Sequence, residues 1–231
     1  MKKIITLACI ASITLLSWCT QPTNDTWTEN LQACSLTQTG WNACTGENTE
    51  SNVLAPDVSA ATHENVGPLE TTKAILQSLK DKDIQTLVTY INTGTKVRFS
   101  PYSYVNTETD IMLNGQELIN KYQDTNNVLT RWTYDGSGEP ININVKDYFQ
   151  KFIYDMDFLN APEINENHEI MRGNSINNVF DIYANDYIVE FYIPGIDPQY
   201  DGMDRKSLTL VVKNTNGKRY LIGIIHNQRT I

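Results

Sequence analysis

The chain has 231 residues, a formal net charge of −9 at pH 7 and 40% hydrophobic residues. An acidic chain without a basic stripe argues against nucleic acid as a partner, because phosphate binding needs clustered Lys and Arg. The sequence contains no phosphate loop, nucleophile elbow or dinucleotide fingerprint, so we expect no cofactor.

The N-terminus has the pattern of a secretory signal. Two lysines are followed by an apolar run from Ile4 to Leu16, which is too short to span a bilayer. Because the run ends near Cys19, segment 1–18 resembles a bacterial lipoprotein signal, in which Cys19 is lipidated. Trp18 departs from that pattern, since Gly, Ala or Ser is usual there. The alternative is a secreted protein that is cleaved elsewhere.

Residues 19–68 form a predicted tether. The segment is rich in Thr, Asn and Ser, has no Lys or Arg from Thr20 to Pro68, and shows no lasting apolar periodicity. Such a segment buries too little apolar surface to offset the entropy of ordering it. Lipidation of Cys19 would leave Cys34 and Cys44, which form a disulfide in one hypothesis and are two free thiols in the other.

Residues 69–231 are predicted to form one α+β domain. Apolar spacing predicts helices over 69–79, from 84 to about 92, from 114 through 122, and over 145–154. Strands are predicted over 96–99, 128–134 and 187–193, and a turn over 135–140. Segment 155–168 has no regular pattern, and 179–183 fits either a strand or a helix.

The C-terminal stretch 207–231 has the pattern of a β-hairpin. Two apolar runs flank Asn216-Gly217, the pair that suits a two-residue turn with positive φ. A regular register would pair Val212 with Leu221, and would also pair Leu210 with Gly223 and Leu208 with Ile225. Both faces are apolar, so the two strands are predicted to be central in their sheet.

The order of these elements resembles the NTF2-like (cystatin-like) folds. This resemblance implies N-terminal helices packed on a curved antiparallel sheet, which together form a cone, and it implies no function.

The domain also resembles an uncharacterised family of bacterial envelope lipoproteins, over nearly all of 69–231. The resemblance implies a secreted, membrane-anchored domain and brings no established activity. It depends on these motifs: Arg98-Phe99-Ser100-Pro101-Tyr102, 134–140 (YDGSGEP), Arg172-Gly173-Asn174-Ser175, 194–200 (PGIDPQY), 202–204 (GMD) and 223–226 (GIIH).

The departures from this family have a pattern. The family tends to have Gly where this chain has Trp132, and Trp where it has four arginines: Arg131, Arg205, Arg219 and Arg229. One hypothesis is an altered genetic code, in which UGA means Gly, CGA and CGG mean Trp, and Trp18 also stands for Gly. Ordinary divergence is the alternative. AGA codons at the arginines and UGG codons at the tryptophans would refute the altered code.

Five side chains are candidates for one pocket: Arg98, Tyr102, Asp155, Arg172 and His226. A buried Asp or His beside a Tyr transfers protons in NTF2-like enzymes, but the sequence spacing does not itself bring these residues together.

No zinc-ligand spacing occurs in the domain. A loop with Asp197, Asp201 and Asp204 is a weaker candidate for Ca²⁺, whose ligands are oxygen atoms. Turn geometry is the other explanation of its Pro198 and Gly202.

Two functions remain open at this point. The first is a non-enzymatic, lipid-anchored extracytoplasmic domain on the cell membrane, which binds a small ligand or an envelope protein. The second is a small NTF2-like hydrolase or isomerase that uses His226 with an acid such as Asp155. The enzyme requires both groups in a closed pocket, whereas a binding domain would show an open groove or a flat apolar patch.

Overall fold

The computed structural model describes residues 66–172 and 176–228. The predicted signal 1–18, Cys19, Cys34, Cys44, Arg229 and almost all of the tether lie outside these residues. Within the two described ranges, no helix has both the length and the apolar character needed to cross a membrane.

The predicted helices are present. Helix α1 has Pro68 in its first turn, and α3 begins with a capping box in which Asn114 and Glu117 each accept a backbone N–H of the other. Helix α4 continues as a π-helical turn over Phe149–Ile153. The open segment 179–183 is resolved as helix. The helices are α1 (Pro68–Lys80), α2 (Ile84–Thr89), α3 (Gly115–Gln123), α4 (Val145–Tyr148) and α5 (Val179–Ile182).

Within the described residues, six of the eight strands form one mixed sheet, with the order β2-β1-β8-β7-β6-β5, and β3 pairs with β4 in a separate hairpin. The fold class is therefore α+β, as predicted. The sheet is not wholly antiparallel, because β1 runs parallel to β8. The strands are β1 (Val97–Ser100), β2 (Ile111–Leu113), β3 (Val128–Thr133), β4 (Pro140–Asn144), β5 (Glu163–Glu166), β6 (Tyr187–Ile193), β7 (Lys206–Thr215) and β8 (Lys218–Gln228).

The turn of the C-terminal hairpin and its central position are confirmed, but two of its three predicted residue pairs are wrong. Asn216 and Gly217 have φ of 53° and 84°. Val212 pairs with Leu221 as expected, but a bulge follows, so Leu210 pairs with Ile224 and Leu208 with His226. The bulge inserts Ile222 into β8 and shifts all later pairs by one residue.

The sheet is buried on both faces. The main core lies between one face and helices α1 to α4, and it includes Phe152, Phe191 and Ile224. A smaller cluster covers the other face, where Tyr183 and Val211 pack against residues beside α5. Burial on both faces explains why β7 and β8 are apolar throughout.

Segment 155–168 is more regular than its sequence indicates. It contains a short 3₁₀ turn at Phe158–Asn160 and strand β5, which pairs antiparallel with β6. Strand β5 is a four-residue edge strand of the sheet, with three partly buried residues and one exposed residue. A strand of this kind has weak apolar alternation, so the sequence pattern did not reveal it.

Candidate functional site

An open cleft lies at the end of the sheet where β1 and β8 finish. Its volume is about 530 Å³, within the range of small-molecule sites. Three stretches form most of its wall: 101–104 after β1, 131–133 of β3, and 227–228 at the end of β8. Two parallel strands that end together, and the β3–β4 hairpin beside them, therefore create this concavity.

Asp110 lies at the base of the cleft with only 8% of its surface exposed. One carboxylate oxygen, Oδ2, accepts hydrogen bonds from the Ser100 hydroxyl and from the Asn106 backbone N–H, the latter at 3.0 Å. The other oxygen, Oδ1, accepts the indole N–H of Trp132 at 3.2 Å. The carboxylate thus ties the loop after β1 to strand β3.

Burial raises the pKa of Asp110 above its ordinary value of 3.8. The hydrogen bonds from Ser100 and Trp132, and the positive charge of Arg98, act in the opposite direction without cancelling the effect of burial. A buried carboxyl with a raised pKa in a cleft is a typical feature of functional sites, although structural networks produce it too.

Two aromatic side chains of the cleft wall, Trp132 and Tyr102, pack against rings of the protein core. The Trp132 ring stacks on Tyr148, with centroids 4.8 Å apart and planes at 17°. The Tyr102 ring contacts the edge of Phe152 at 6.1 Å, and its hydroxyl accepts the backbone N–H of Asp135. Both rings are therefore fixed before any ligand arrives.

A second polar group lies deeper, where His226 joins two elements. Its Nδ1 is 3.3 Å from the Pro101 carbonyl and its Nε2 is 3.2 Å from Asp155 Oδ1. The other carboxylate oxygen of Asp155 pairs with the Lys206 ammonium. Both neighbours of the imidazole are acceptors, so both hydrogen bonds form only when both ring nitrogens carry a proton.

Burial raises the pKa of Asp155, but the net direction is downward from 3.8. The hydrogen bonds and positive charges of His226 and Lys206 together outweigh the desolvation of the carboxylate. The three side chains thus form a hydrogen-bonded network centred on the Asp155 carboxylate.

The histidine of this network is closed to solvent. His226 has no exposed surface, and the rings of Phe152 and Phe158 lie edge-on to it at 5.9 and 6.4 Å. Neither His226 nor Asp155 lines the cleft. The pair thus meets the distance requirement for proton transfer, but a substrate in the cleft would not touch it.

The other predicted pocket residues occupy three places. Tyr102 lines the cleft. Arg98 lies on β1, where its Nη1 donates to the Asn106 carbonyl at 3.4 Å. Arg172 lies near the β5 edge, where it pairs with Glu163 at 2.6 Å and with a second carboxylate on β6. Of the five, His226 and Asp155 are in direct contact, and Arg172 is apart from the cleft.

In the loop proposed for Ca²⁺, the carboxylates bind backbone amides. Asp204 Oδ2 accepts the N–H groups of Ile196 and Asp197 at 2.9 Å each. Asp197 in turn caps the short 3₁₀ turn at Pro198–Tyr200. Within 66–172 and 176–228, no group of three or more acidic, His or Cys side chains has the arrangement of a metal site. Turn geometry accounts for these residues.

The positions affected by the altered-code hypothesis are spread over the domain. Trp132 is buried and Arg131 is exposed beside it, and both line the cleft. Arg205 donates to the Arg172 carbonyl at 3.2 Å, and Arg219 donates to the Val66 carbonyl. Each residue has a partner in the structure, which does not distinguish the two explanations, because codons alone decide between them.

Sequence reasoning did not identify Asp110 or the cleft side of Trp132 as site residues. Asp110 ends the polar run Asn106-Thr107-Glu108-Thr109-Asp110, which reads as an ordinary turn. Its partner Trp132 is distant in sequence, and no local spacing connects the two residues. One signal could have pointed to them: both lie near motifs of the family resemblance, Asp110 after Arg98–Tyr102 and Trp132 before 134–140.

Comparisons with known proteins provide little further information. No protein-family model and no curated protein matches the chain. Among solved structures, the chain is similar to a DUF4783 family protein from Bacteroides ovatus, with 11% identity and a TM-score of 0.26. The match covers 68% of this chain and 94% of that one. At this level of similarity, it assigns no role to any residue of the cleft.

Proposed function

We propose that this protein is a non-enzymatic, lipid-anchored extracytoplasmic domain that binds a small ligand in the cleft. The observation that carries this proposal is the open cleft of about 530 Å³, whose aromatic wall is held in place by packing such as the stacking of Trp132 on Tyr148. A preformed concave site with rigid aromatic rings and a few polar groups is the usual form of a small-molecule site. Rigid walls also reduce the entropy lost on binding.

The position of the tether fits this role. The Val66 carbonyl, near the start of the described chain, accepts a hydrogen bond from Arg219 at the turn end of β8. The cleft lies at the other end of β8, beside Asn227 and Gln228. At about 3.3 Å per residue the two ends are roughly 25–30 Å apart. A chain anchored through Cys19 would thus enter the domain away from the cleft.

An NTF2-like fold is part of the proposal. The supporting features are two N-terminal helices, then β1, a third helix, and the antiparallel run β6-β7-β8. In such folds the sheet and the helices enclose a pocket, which agrees with a cleft at one end of the sheet.

The runner-up is a small hydrolase or isomerase, favoured by the hydrogen bond between His226 and Asp155. Ligand binding is preferred because the cleft wall excludes both groups and His226 is fully buried. An enzyme of this type would need the Phe152 and Phe158 rings to move before a substrate reached the imidazole.

A matched pair of exposed tyrosines tests binding in the cleft. Tyr104, 53% exposed, lines the cleft, whereas Tyr200, 47% exposed, does not. The full chain with Cys19→Ala is screened against a library of small molecules by NMR chemical-shift mapping. We expect bound compounds to change the chemical shifts of residues 101–104 and 131–133. Tyr104→Ala should lower the affinity for these compounds, whereas Tyr200→Ala should not. Equal effects of the two changes, or no hits, would refute the proposal.

Cys19→Ala also tests the anchor. Cells that express the chain are fed a radiolabelled fatty acid, and we expect label in the native protein and none in the variant. An unlabelled native protein would refute lipidation and leave an ordinary secreted protein.

A further inference from the structure

The charged groups of the cleft already have partners within the protein. The Asp110 carboxylate accepts three hydrogen bonds from protein donors and lies in the field of Arg98. Arg131 donates to the Glu108 carbonyl at 3.4 Å, and Asp135, which carries the opposite charge, has an interaction of its own. An ionic ligand would therefore have to compete with these contacts for the charged groups of the cleft.

The neutral polar groups of the cleft are in the opposite situation. Thr109, Thr133, Asn227 and Gln228 line it, and no side-chain hydrogen bond joins any of the four to another described residue. Hydroxyl and amide groups both donate and accept. Together they supply the cleft with neutral donors and acceptors.

Aromatic rings complete the wall. Tyr102 and Trp132 are fixed by Phe152 and Tyr148, and Tyr104 projects at the rim. The face of an aromatic ring is electron-rich, so it attracts polarised C–H groups. A pyranose ring presents such C–H groups on its faces and hydroxyls around its edge.

From this combination we infer that the cleft binds a neutral saccharide, of one or two pyranose rings, with a C–H face against an aromatic ring and its hydroxyls on the amides and threonines. The inference depends on the proposed ligand-binding function and names its ligand class. A neutral amide and hydroxyl lining would discriminate against an uncompensated charge on the same sugar framework, since burying that charge without a partner is unfavourable.

The test uses β-1,4-linked disaccharides of gluco configuration, so the probes share one ring framework and differ in charge. The full chain with Cys19→Ala is titrated with cellobiose and N,N′-diacetylchitobiose, which are neutral. It is also titrated with chitobiose, which has two ammonium groups at neutral pH, and with β-1,4-linked diglucuronate, which is anionic. Binding is followed by NMR shifts of residues 101–104, 131–133 and 227–228.

We expect at least one neutral disaccharide to bind, and the charged probes to bind more weakly by about tenfold or more, as an uncompensated charge requires. Tyr104→Ala should weaken the neutral disaccharide by roughly three- to tenfold through the lost aromatic contact. Gln228→Leu should also weaken it, because it removes hydrogen bonds and keeps the shape. Tyr200→Ala should have no effect.

Two results would overturn the inference. Tighter binding of a charged probe in the cleft would exclude the neutral class and leave the ligand-binding function standing. The absence of any saccharide-induced shift would exclude saccharides altogether. The proposed function would then be judged by the library screen with Tyr104→Ala, which is independent of sugars.

Discussion

Replacing Asp155 with Asn should lower the stability of the domain substantially. The change keeps the shape of the side chain and removes its charge, which leaves His226 and Lys206 without their anion. The side chain of Asp155 is 9% exposed and that of His226 is fully buried, whereas that of Lys206 is 26% exposed and is able to turn towards water. In addition, the two oxygens of Asp155 face Lys206 Nζ and His226 Nε2, so the NH₂ group of an Asn at this position would face one of these two nitrogens.

Removal of one partner from a buried ion pair costs about 3–5 kcal/mol, and the partial exposure of Lys206 favours the lower end of this range. For a domain of this size, a loss of ~3 kcal/mol lowers Tm by roughly 6–12 °C. Thermal unfolding at pH 7, followed by circular dichroism, measures this shift. Asp157→Asn is the matched control, since Asp157 pairs with Lys80 at the surface and is 53% exposed.

The pH dependence has a definite sign. The pKa of Asp155 is lower in the folded state than its ordinary 3.8, so its contribution is complete above that value and is lost as the pH falls through the folded pKa. The stability gap between native protein and Asp155→Asn should therefore be constant down to about pH 4 and shrink below it. If Asp155→Asn were as stable as Asp157→Asn at pH 7, the buried network would not stabilise the fold.

Three further substitutions test other contacts by urea unfolding. Asp110→Asn should cost about 1–3 kcal/mol, because an amide N–H would face a protein donor such as the Trp132 indole; a more stable variant would mean that the cost of burying the charge dominates. Asn114→Ala should cost about 1 kcal/mol by removing the capping box with Glu117, and an unchanged midpoint would contradict that role. Trp132→Gly should cost about 3–5 kcal/mol through the lost stacking on Tyr148 and the cavity left behind; a variant as stable as the native chain would contradict this packing.

Local patterns were sufficient for most helices and for the turn of the hairpin. The capping residue Asn114 and its partner Glu117 are three positions apart, so the start of α3 is decided within one turn. Asn216 and Gly217 adopt positive φ for reasons that lie within the two residues themselves. Such features depend on neighbours in the chain, and the sequence therefore predicts them.

The register of β8 beyond its bulge was not predictable from local pattern. On strands that are apolar on both faces, alternation does not distinguish one register from the next. In the structure Gly223 accommodates the Tyr183 hydroxyl, which would lie 3.2 Å from an added Cβ, while Ile224 and His226 face the main core. Packing from both sides of the sheet accounts for this register, and it brings His226 to Asp155.

The candidate site shows the same division. The sequence alone identified Tyr102, Asp155 and His226 as residues with chemical potential, but gave no information on which of them a ligand would reach. Tertiary structure placed Tyr102 on an open cleft and sealed His226 beneath Phe152 and Phe158. It also made Asp110 the base of that cleft.

The sequence by itself determined the α+β class, most of the helices, the turns and the apolar strands, because short-range sterics, capping and periodicity are properties of neighbouring residues. Only the tertiary structure decided the parallel pairing of β1 with β8, the bulge, the edge strand β5 and the cleft. These features depend on contacts between residues far apart in the chain, whose energies no local pattern records.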